Sequence, residues 1–487
     1  MAVRARLAPP REVRQQWDWH RVQSTSLPAS MLFGGDRRME AENFLASGFA
    51  TRSAIAGKPT GWSSLVSVAR TWQPSRLKGI QVSADYGTPF LAATQVFDVR
   101  PVPRKWLSLD RTSDHAQRLV TEGTILLTCS GSVGRATLAD ASIANTLISH
   151  DLLRIDVNDD AQRGWVYAYL RAPTVRAMMT SAQYGHMIKH LEIGHLNALP
   201  FIEIPEGSNL QFSRMARDVV KSRNRAHELV SAAEARFEAE IGTLPDLGDG
   251  TVGFSAPSRD LFGSGRRLEA HYHNPIARSA DRAVASSNRK LERLADLVEQ
   301  VFIPGRFKHV YGPDGLPYLD SAQILEVAPD VEKYVLSLQG ERRAGYLVEA
   351  GTLMLPCSGQ LHGIIGSVVL AGEWHENKVL TNHIMRITPK QKPSIRIGYL
   401  QAVLSHPKLG RPRVLRGAYG SSVPELSTVD IENLAVPRLS AIAETEIADA
   451  MEEAATLMAH ANSVEDRIAE EAELIVRSFL SAPGKAR

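Results

Sequence analysis

Two short stretches of this chain carry side chains suited to gripping phosphate and reading the edges of bases. In the first, Arg135 follows the glycine turn Ser130-Gly131-Ser132-Val133-Gly134, and Tyr184, His186, Lys189 and His190 crowd a few positions further on. In the second, Arg411-Pro412-Arg413 is followed by Arg416-Gly417-Ala418-Tyr419-Gly420-Ser421-Ser422. Cations suit phosphates, and side chains with paired donors and acceptors suit base edges. Arg135 and Lys189 are therefore expected at phosphate, and Ser130, Ser132, Tyr184 or His186 near bases. Arginine can hold O6 and N7 of guanine with two bonds, which lysine cannot reproduce, so Arg413 and Arg416 give the second stretch its own preference. The pairs Arg76/Lys78 and Arg306/Lys308, each beside a proline that ends a helix-like run, are candidate phosphate clamps. For any one of these residues the competing reading is an ordinary solvated side chain or a satisfied histidine.

Catalytic constellations are weak by comparison. Gly131-Ser132-Val133-Gly134-Arg135 lacks the lysine and Ser/Thr of a nucleotide-binding phosphate loop. There is no acidic residue or asparagine followed by two prolines and an aromatic, as an amino-methyltransferase site needs, and no glycine-rich cofactor strand. His271 and His273 alternate as on a strand, but with His309 they give no metal-ligand spacing. Cys129 and Cys357 end apolar strands, where a cysteine is more often core than nucleophile. They occupy equivalent places rather than neighbouring ones, which argues against a disulfide or a zinc site. No catalytic residue, metal or cofactor is assigned to this chain.

The elements that position these residues occur twice. LFGGDRRMEA at 32–41 returns as LFGSGRRLEA at 261–270, Pro74-Ser75-Arg76-Leu77-Lys78 as Pro304-Gly305-Arg306-Phe307-Lys308, and Gly87-Thr88-Pro89-Phe90-Leu91 as Gly315-Leu316-Pro317-Tyr318-Leu319. Further on, Gly123-Thr124 through Cys129-Ser130-Gly131 matches Gly351-Thr352 through Cys357-Ser358-Gly359, and Tyr184-Gly185 matches Tyr419-Gly420. Within each copy an apolar run, Ile125-Leu126-Leu127-Thr128-Cys129 or 353–357, opens a hairpin across a glycine turn. The second turn is longer and offers Ser358, Gln360 and His362 in place of Ser130 and Ser132. Segments 164–172 and 398–406 read as short helices closed by Pro173 and Pro407.

Each copy ends in a long helix. In 208–241, Met215, Val219, Ala226, Leu229, Ala233 and Phe237 fall on one face. In the second, Ile447, Met451, Ala454, Met458, Ala461, Glu465, Ile468, Ala472, Ile475 and Phe479 alternate spacings of four and three, a coiled-coil seam with Ser440 as its N-cap. The fold class expected is α+β: two duplicated α/β domains, each followed by a long helix, the helices pairing as an antiparallel coiled-coil spacer. The boundaries are an N-terminal extension over 1–30, a first domain over 31–205, a helix over 206–242, a Gly/Pro/Asp/Ser-rich linker over 243–265, a second domain over 266–439 and a second helix over 440–482.

The chain of 487 residues is long enough for two or three cored domains. Its net charge of +3 hides a division: 443–480 holds ten acids against Arg467 and Arg477, so that segment is at −8 and the remainder at +11. The globular part is basic, which suits a polyanion. The acidic helix is expected to keep away from DNA and to face a basic protein partner. No signal peptide and no apolar run near 18 residues is present, so a cytoplasmic protein without membrane association is expected.

Taken in order, these landmarks resemble the specificity (S) subunits of type I restriction-modification enzymes, over essentially the whole chain. The corresponding motifs are Gly123-Thr124-Ile125-Leu126-Leu127, Ser130-Gly131-Ser132-Val133-Gly134-Arg135, Ile148-Ser149-His150-Asp151-Leu152, and the run from Tyr184-Gly185-His186 to Lys189-His190-Leu191. The resemblance implies a non-catalytic reader of double-stranded DNA with two target-recognition domains, each reading half of a split, asymmetric site. It also implies two methyltransferase subunits as partners, in some members joined by a translocating endonuclease. S-adenosylmethionine would belong to the methyltransferase. A related role in another methylation-linked phage-defence operon fits equally well. The glutamate in the second seam, the longer turn after Cys357 and residues 1–30 depart from the pattern. The rival reading is a two-domain adaptor of a defence complex that holds proteins together without reading sequence.

Overall fold

The computed structural model describes residues 27, 29, 41–45, 47–76, 79–109, 115–182, 189–242, 244, 253–262, 267–338, 340–420 and 422–482. It is a mixed α/β fold in which the element order of the first half recurs in the second.

A two-stranded ribbon closes each half: β1 (Trp62–Ser64) runs antiparallel to β10 (Pro200–Ile202), and β11 (Lys290–Arg293) to β19 (Ala435–Arg438). Each half then has a four-stranded antiparallel sheet. In the first the order is β2 (Ala69–Trp72), β9 (Leu152–Val157), β6 (Ile125–Thr128), β7 (Ala136–Leu138). In the second it is β12 (Val298–Phe302), β18 (Ile384–Pro389), β15 (Leu353–Pro356), β16 (Val369–Leu370).

The central strands β6 and β15 are buried along their whole length and almost wholly apolar because both of their faces are covered. Ile125 and Leu127 feed one core and Leu126 another. Leu353 and Leu355 are divided from Met354 in the same way.

A smaller sheet stands beside each large one. The first contains β3 (Ile80–Val82), β5 (Lys105–Ser108), β4 (Thr88–Leu91) and β8 (Leu147–Ile148), with β4 parallel to β8. The second contains β14 (Lys333–Val335), β13 (Tyr311–Leu319) and β17 (Val379–Leu380), with β13 parallel to β17. The expected hairpins are thus the β6/β7 and β15/β16 pairs.

The helices follow the same alternation. The first half has α1 (Ser47–Ala56), α2 (Asp160–Arg171), α3 (Pro173–Ala182), α4 (Ile193–Asn197) and the long α5 (Glu206–Ile241). The second has α6 (Pro275–Ser286), α7 (Ile397–Ser405), α8 (Arg411–Arg416), α9 (Thr428–Glu432) and the long α10 (Ala441–Ser481). Pro173 follows the end of α2 at Arg171, as expected, and also opens α3, where its missing N–H costs nothing. The segments before Arg76 and Arg306 are strands rather than helices: the burial of β2 alternates, and β12 pairs with β18 across a bulge at Val298–Gln300. The linker is not featureless: Ser258–Phe262 is helical, and Arg278 pairs with Asp260 at 2.5 Å.

Gly164 and Gly398 explain how the domains seat on the long helices. A Cβ on Gly164 would lie 2.2 Å from the backbone N of Ser213, and one on Gly398 2.6 Å from the carbonyl O of Ala448. Only glycine allows so close a crossing. The next residue anchors the closing ribbon in both halves, Trp165 donating to the Ile202 carbonyl at 2.7 Å and the Tyr399 hydroxyl to the Pro437 carbonyl at 2.5 Å.

At about 1.5 Å per residue, α5 and α10 span roughly 50–60 Å. They lie antiparallel: Gln211 meets Glu471, Asp218 meets His460, and Arg236 meets Glu446. Ser440 caps α10 by accepting from the Ala443 N–H at 3.2 Å. Of the seam residues, Met215, Val219, Leu229, Ile447, Met451 and Ile468 are buried, and Met458 and Ile475 are half-buried. Each long helix serves both halves. Phe212, Met215 and Val219 of α5 join the first core, together with Ile468, Ala472 and Val476 from the end of α10. Phe237 and Ile241 of α5 join the second core with Ile447 and Met451.

Glu465 is fully buried at this seam. It accepts from the Tyr167 hydroxyl at 2.6 and 2.7 Å and pairs with Arg223 at 2.8 Å and Arg171 at 3.1 Å. Burial works against the charge on Arg171, but Glu465 together with Tyr167, Asp330 and Asp466 outweighs it, and the guanidinium is held above its usual range. The Tyr167 hydroxyl is driven well above its usual range by burial.

Candidate nucleic-acid interface

In the first half, the turn after β6 and the segment before α4 are stitched into one ribbon. Ser130 and His190 form an antiparallel bridge, the Gly131 N–H donates to the Lys189 carbonyl at 3.2 Å, and Leu191 N–H to the Cys129 carbonyl at 2.9 Å. Ser130 Oγ also lies 2.9 Å from His190 Nδ1. Glycine is required at 131, where φ is 72°. Ser130, Ser132, Lys189 and His190 are thereby brought together on one rim, with Ser132 exposed. Tyr184 and His186 lie outside the described residues, as do Lys78 and Ser421.

His150 joins this rim, although its type and spacing in the sequence do not mark it as a contact. Gln73 donates to its carbonyl at 2.6 Å. The turn that carries it is shaped by Arg154, a fully buried residue of β9 that donates to the carbonyls of Ile148, Ser149 and Leu152 at 2.9, 3.3 and 2.7 Å. Burial lowers the Arg154 guanidinium to about 10. Arg386 takes the same place in β18, gripping the carbonyls of Gly345, Tyr346 and Leu347, and burial lowers it to about 10 as well. The signal was present in sequence as Leu152-Leu153-Arg154-Ile155 against Ile384-Met385-Arg386-Ile387. An arginine inside a strand gives no hint, by periodicity alone, that it faces carbonyls. Arg76 is exposed nearby, with its neighbour Ser75 held by Arg118 at 2.8 Å.

The second half builds the same ribbon from different residues. Ser358 bridges Glu425, Gly359 N–H donates to the Pro424 carbonyl at 3.0 Å, and Leu426 N–H to the Cys357 carbonyl at 2.8 Å. Where the first ribbon has Lys189 and His190, this one has Pro424 and Glu425. His383 Nδ1 lies 3.1 Å from Ser358 Oγ. Tyr419 pairs with Glu425 through the backbone and leaves its side chain exposed, and Gln360, His362 and Ser422 are exposed too. Arg306 and Lys308 are exposed on the loop after β12.

Three arginines expected at DNA are turned inward. Arg411 to Arg416 is a helix, not a loop. Arg413 is 5% exposed, pairing with Asp281 at 2.9 Å and donating to the Ala435 carbonyl at 2.5 Å. Arg416 pairs with the other oxygen of Asp281, donates to the Tyr272 carbonyl at 2.9 Å and lies 4.4 Å over the Tyr272 ring. Arg135 packs 4.1 Å over the Phe97 ring and pairs with Glu326 at 2.9 Å and Asp330 at 3.2 Å. Each carboxylate lies far away in sequence, so local spacing could not reveal it. The acidic helix is likewise spoken for within the chain: Glu470 aside, each of its ten acids meets a partner here, among them Arg438, Arg236, Arg396, Arg225 and Arg171. A basic partner protein is not needed to balance it.

Burial pushes the Cys129 thiol up to about 11 and raises that of Cys357, which disfavours the thiolate a nucleophile needs. His271 donates to the Ala418 carbonyl and His273 to the Arg267 carbonyl, so both rings are held by backbone. Among the described residues, no group of three His, Cys, Asp or Glu could hold a metal ion, and no helix is long and apolar enough to cross a membrane.

No protein-family model matches the sequence, and no curated protein matches it. Among solved structures, the chain is similar to the S subunit of a type I restriction-modification system from M. genitalium, at 13% identity and a TM-score of 0.26 over 87% of this chain and 96% of that one. It is similar to the HsdS subunit from Thermoanaerobacter tengcongensis at 12% identity and a TM-score of 0.26, over 87% and 97%. A structure concerned with complex assembly and conformational transition of the type I R-M system gives 11% identity and a TM-score of 0.27, over 87% and 97%.

Proposed function

We propose that this chain is a non-catalytic, cytoplasmic DNA-specificity subunit that reads a bipartite, asymmetric site, each half of the chain taking one half-site. In this reading the two halves are duplicated recognition domains and α5 and α10 are a coiled-coil spacer. Two methyltransferase subunits, which would carry S-adenosylmethionine, modify the site, and a restriction subunit joins in some assemblies. The observation that carries the reading is one ribbon built twice with different polar side chains, Ser130/Lys189/His190 against Ser358/Glu425/Tyr419. A kept frame with an exchanged rim is what two related readers of unlike sequences need, because base edges are told apart by the pattern of donors and acceptors presented to them. Glutamate accepts from the amino group of cytosine, whereas lysine serves phosphate or guanine.

The test is to co-express the chain with the methyltransferase encoded beside it and map modified bases across a genome by single-molecule sequencing, with and without the chain. Methylation at one split, asymmetric motif that disappears without the chain supports the reading. A palindromic motif overturns the asymmetric reading, and methylation unchanged by the chain, or absent in both cultures, although the proteins co-purify, favours the adaptor instead.

A further inference from the structure

The two halves also meet through a pair of loops. Gln95-Val96-Phe97-Asp98-Val99 follows β4, and Gln323-Ile324-Leu325-Glu326-Val327 follows β13. In each, the glutamine closes the loop on itself. Gln95 accepts from the Ala92 N–H at 3.1 Å and donates to the Val102 carbonyl at 2.7 Å; Gln323 accepts from the Asp320 N–H at 2.9 Å and donates to the Asp330 carbonyl. The preformed loops then pair with each other. Val99 N–H donates to the Leu325 carbonyl and Val327 N–H to the Phe97 carbonyl, both at 2.7 Å, with Asp98 opposite Glu326.

Charges around this bridge are divided by half. The first half supplies Arg135, on Glu326 and Asp330, and Arg176, on Asp330 at 2.8 Å and Glu332 at 3.5 Å. At the positions equivalent to Asp330 and Glu332 the first half has Val102 and Arg104. The bridge is tied to the spacer as well: the Ala328 N–H donates to Asn462 of α10 at 2.9 Å, and Arg100 forms a two-bond pair with Glu234 of α5.

We propose that this clasp, and not the helices alone, sets the gap between half-sites. Arg135 and Arg176 are positioning residues that hold the halves at one separation, so the protein accepts one number of intervening base pairs. The inference rests on reading the chain as a split-site reader. Its physical basis is distance: one extra base pair moves a half-site by about 3.4 Å and turns it about the duplex axis. The clasp cannot follow, because hydrogen bonds at 2.7–3.2 Å are lost well before such a shift is complete.

The experiment uses the full chain with its methyltransferase and a set of DNAs whose gap is changed by one or two base pairs. The wild type should modify one gap. Arg135→Ala should lower its preference for that gap over its neighbours by about tenfold, the size expected for loss of one part-buried ion pair. The exchange Arg135→Glu with Glu326→Arg should restore much of it. In parallel, dye labels on cysteines introduced at the exposed Asp85 and Asp314 report the separation of the halves without DNA. A broader distance distribution in folded Arg135→Ala, checked by its melting curve, supports the clasp. An unchanged distribution with an unchanged gap preference overturns it. If the wild type shows no site preference at all, the split-site reading fails, and the distance measurement still decides the clasp.

Discussion

An arginine on the surface of a sequence becomes something else when its carboxylate is more than a hundred residues away. Arg413 and Arg416 share Asp281, and Arg416 also lies on Tyr272. Arg416→Ala should cost about 1.5–3 kcal/mol of stability, the range for hydrogen bonds to charged groups. Asp281→Asn should reproduce much of the loss; a substitution that weakens DNA binding with no change in urea midpoint would show instead that Arg416 faces DNA. Asp98 offers a titration. Burial pushes its carboxyl up to about 7, with the Arg104 guanidinium pulling against this and the Glu326 carboxylate adding to it. The closed clasp therefore holds the proton that an opened one releases near the ordinary 3.8. Closure is favoured in acid, and that advantage fades as pH rises from about 4 to about 7. Label separation should be narrower at pH 5 than at pH 8 in the wild type, and Asp98→Asn should flatten the difference. The residues legible from sequence are those whose neighbours in space are also neighbours in the repeat, such as Ser130 and Ser358. Arg135 is not legible in this way because its partners, Glu326 and Asp330, lie in the other half.

At the level of elements, the antiparallel pair of helices encloses one fully buried carboxylate. Removing Glu465 leaves Arg223, itself fully buried, and Arg171 without their shared partner. Glu465→Ala should cost about 3–5 kcal/mol, as breaking a buried pair from one side does. Glu465→Met with Arg223→Leu should recover most of that, since a well-packed apolar replacement is often neutral. Melting curves of the two variants decide. Lengthening both helices by whole turns, after Ala226 and after Ala461, should widen the accepted gap only if the clasp is opened at the same time. With Arg135 and Glu326 intact, such insertions should lower activity on every gap. The spacing of Ile447, Met451 and Ala454 makes the helix readable, because a four-three alternation puts every apolar side chain on one helical stripe and on no single face of a strand. The loops Gln95–Val99 and Gln323–Val327 are not readable in the same way. Five residues between strands have no periodicity, although the shared glutamine, the following apolar pair and the acid are there to be aligned.

For the molecule as a whole, binding to DNA should weaken steeply with salt, the logarithm of affinity falling by about 0.9 per released phosphate contact for each log unit of salt. A flat salt profile in a filter-binding or anisotropy titration would move the chain toward protein scaffolding. The repeat, the two long helices and their order are legible because duplication writes the same landmarks twice. What sequence conceals is how thoroughly the chain neutralises itself, with α10 giving its acids to arginines of both halves. The clasp has a consequence for inheritance. Its cations come only from the first half and its acids chiefly from the second, so the two halves are not interchangeable at their meeting point. A gene rearranged to carry two first halves would set Asp98 against Asp98, leave Arg135 with Asp98 alone where it now has Glu326 and Asp330, and leave Arg176 facing Val102 and Arg104 in place of Asp330 and Glu332. New target preferences can therefore spread by exchanging the rims within a half, while an exchange of whole halves succeeds only between lineages that keep the same polarity of charge.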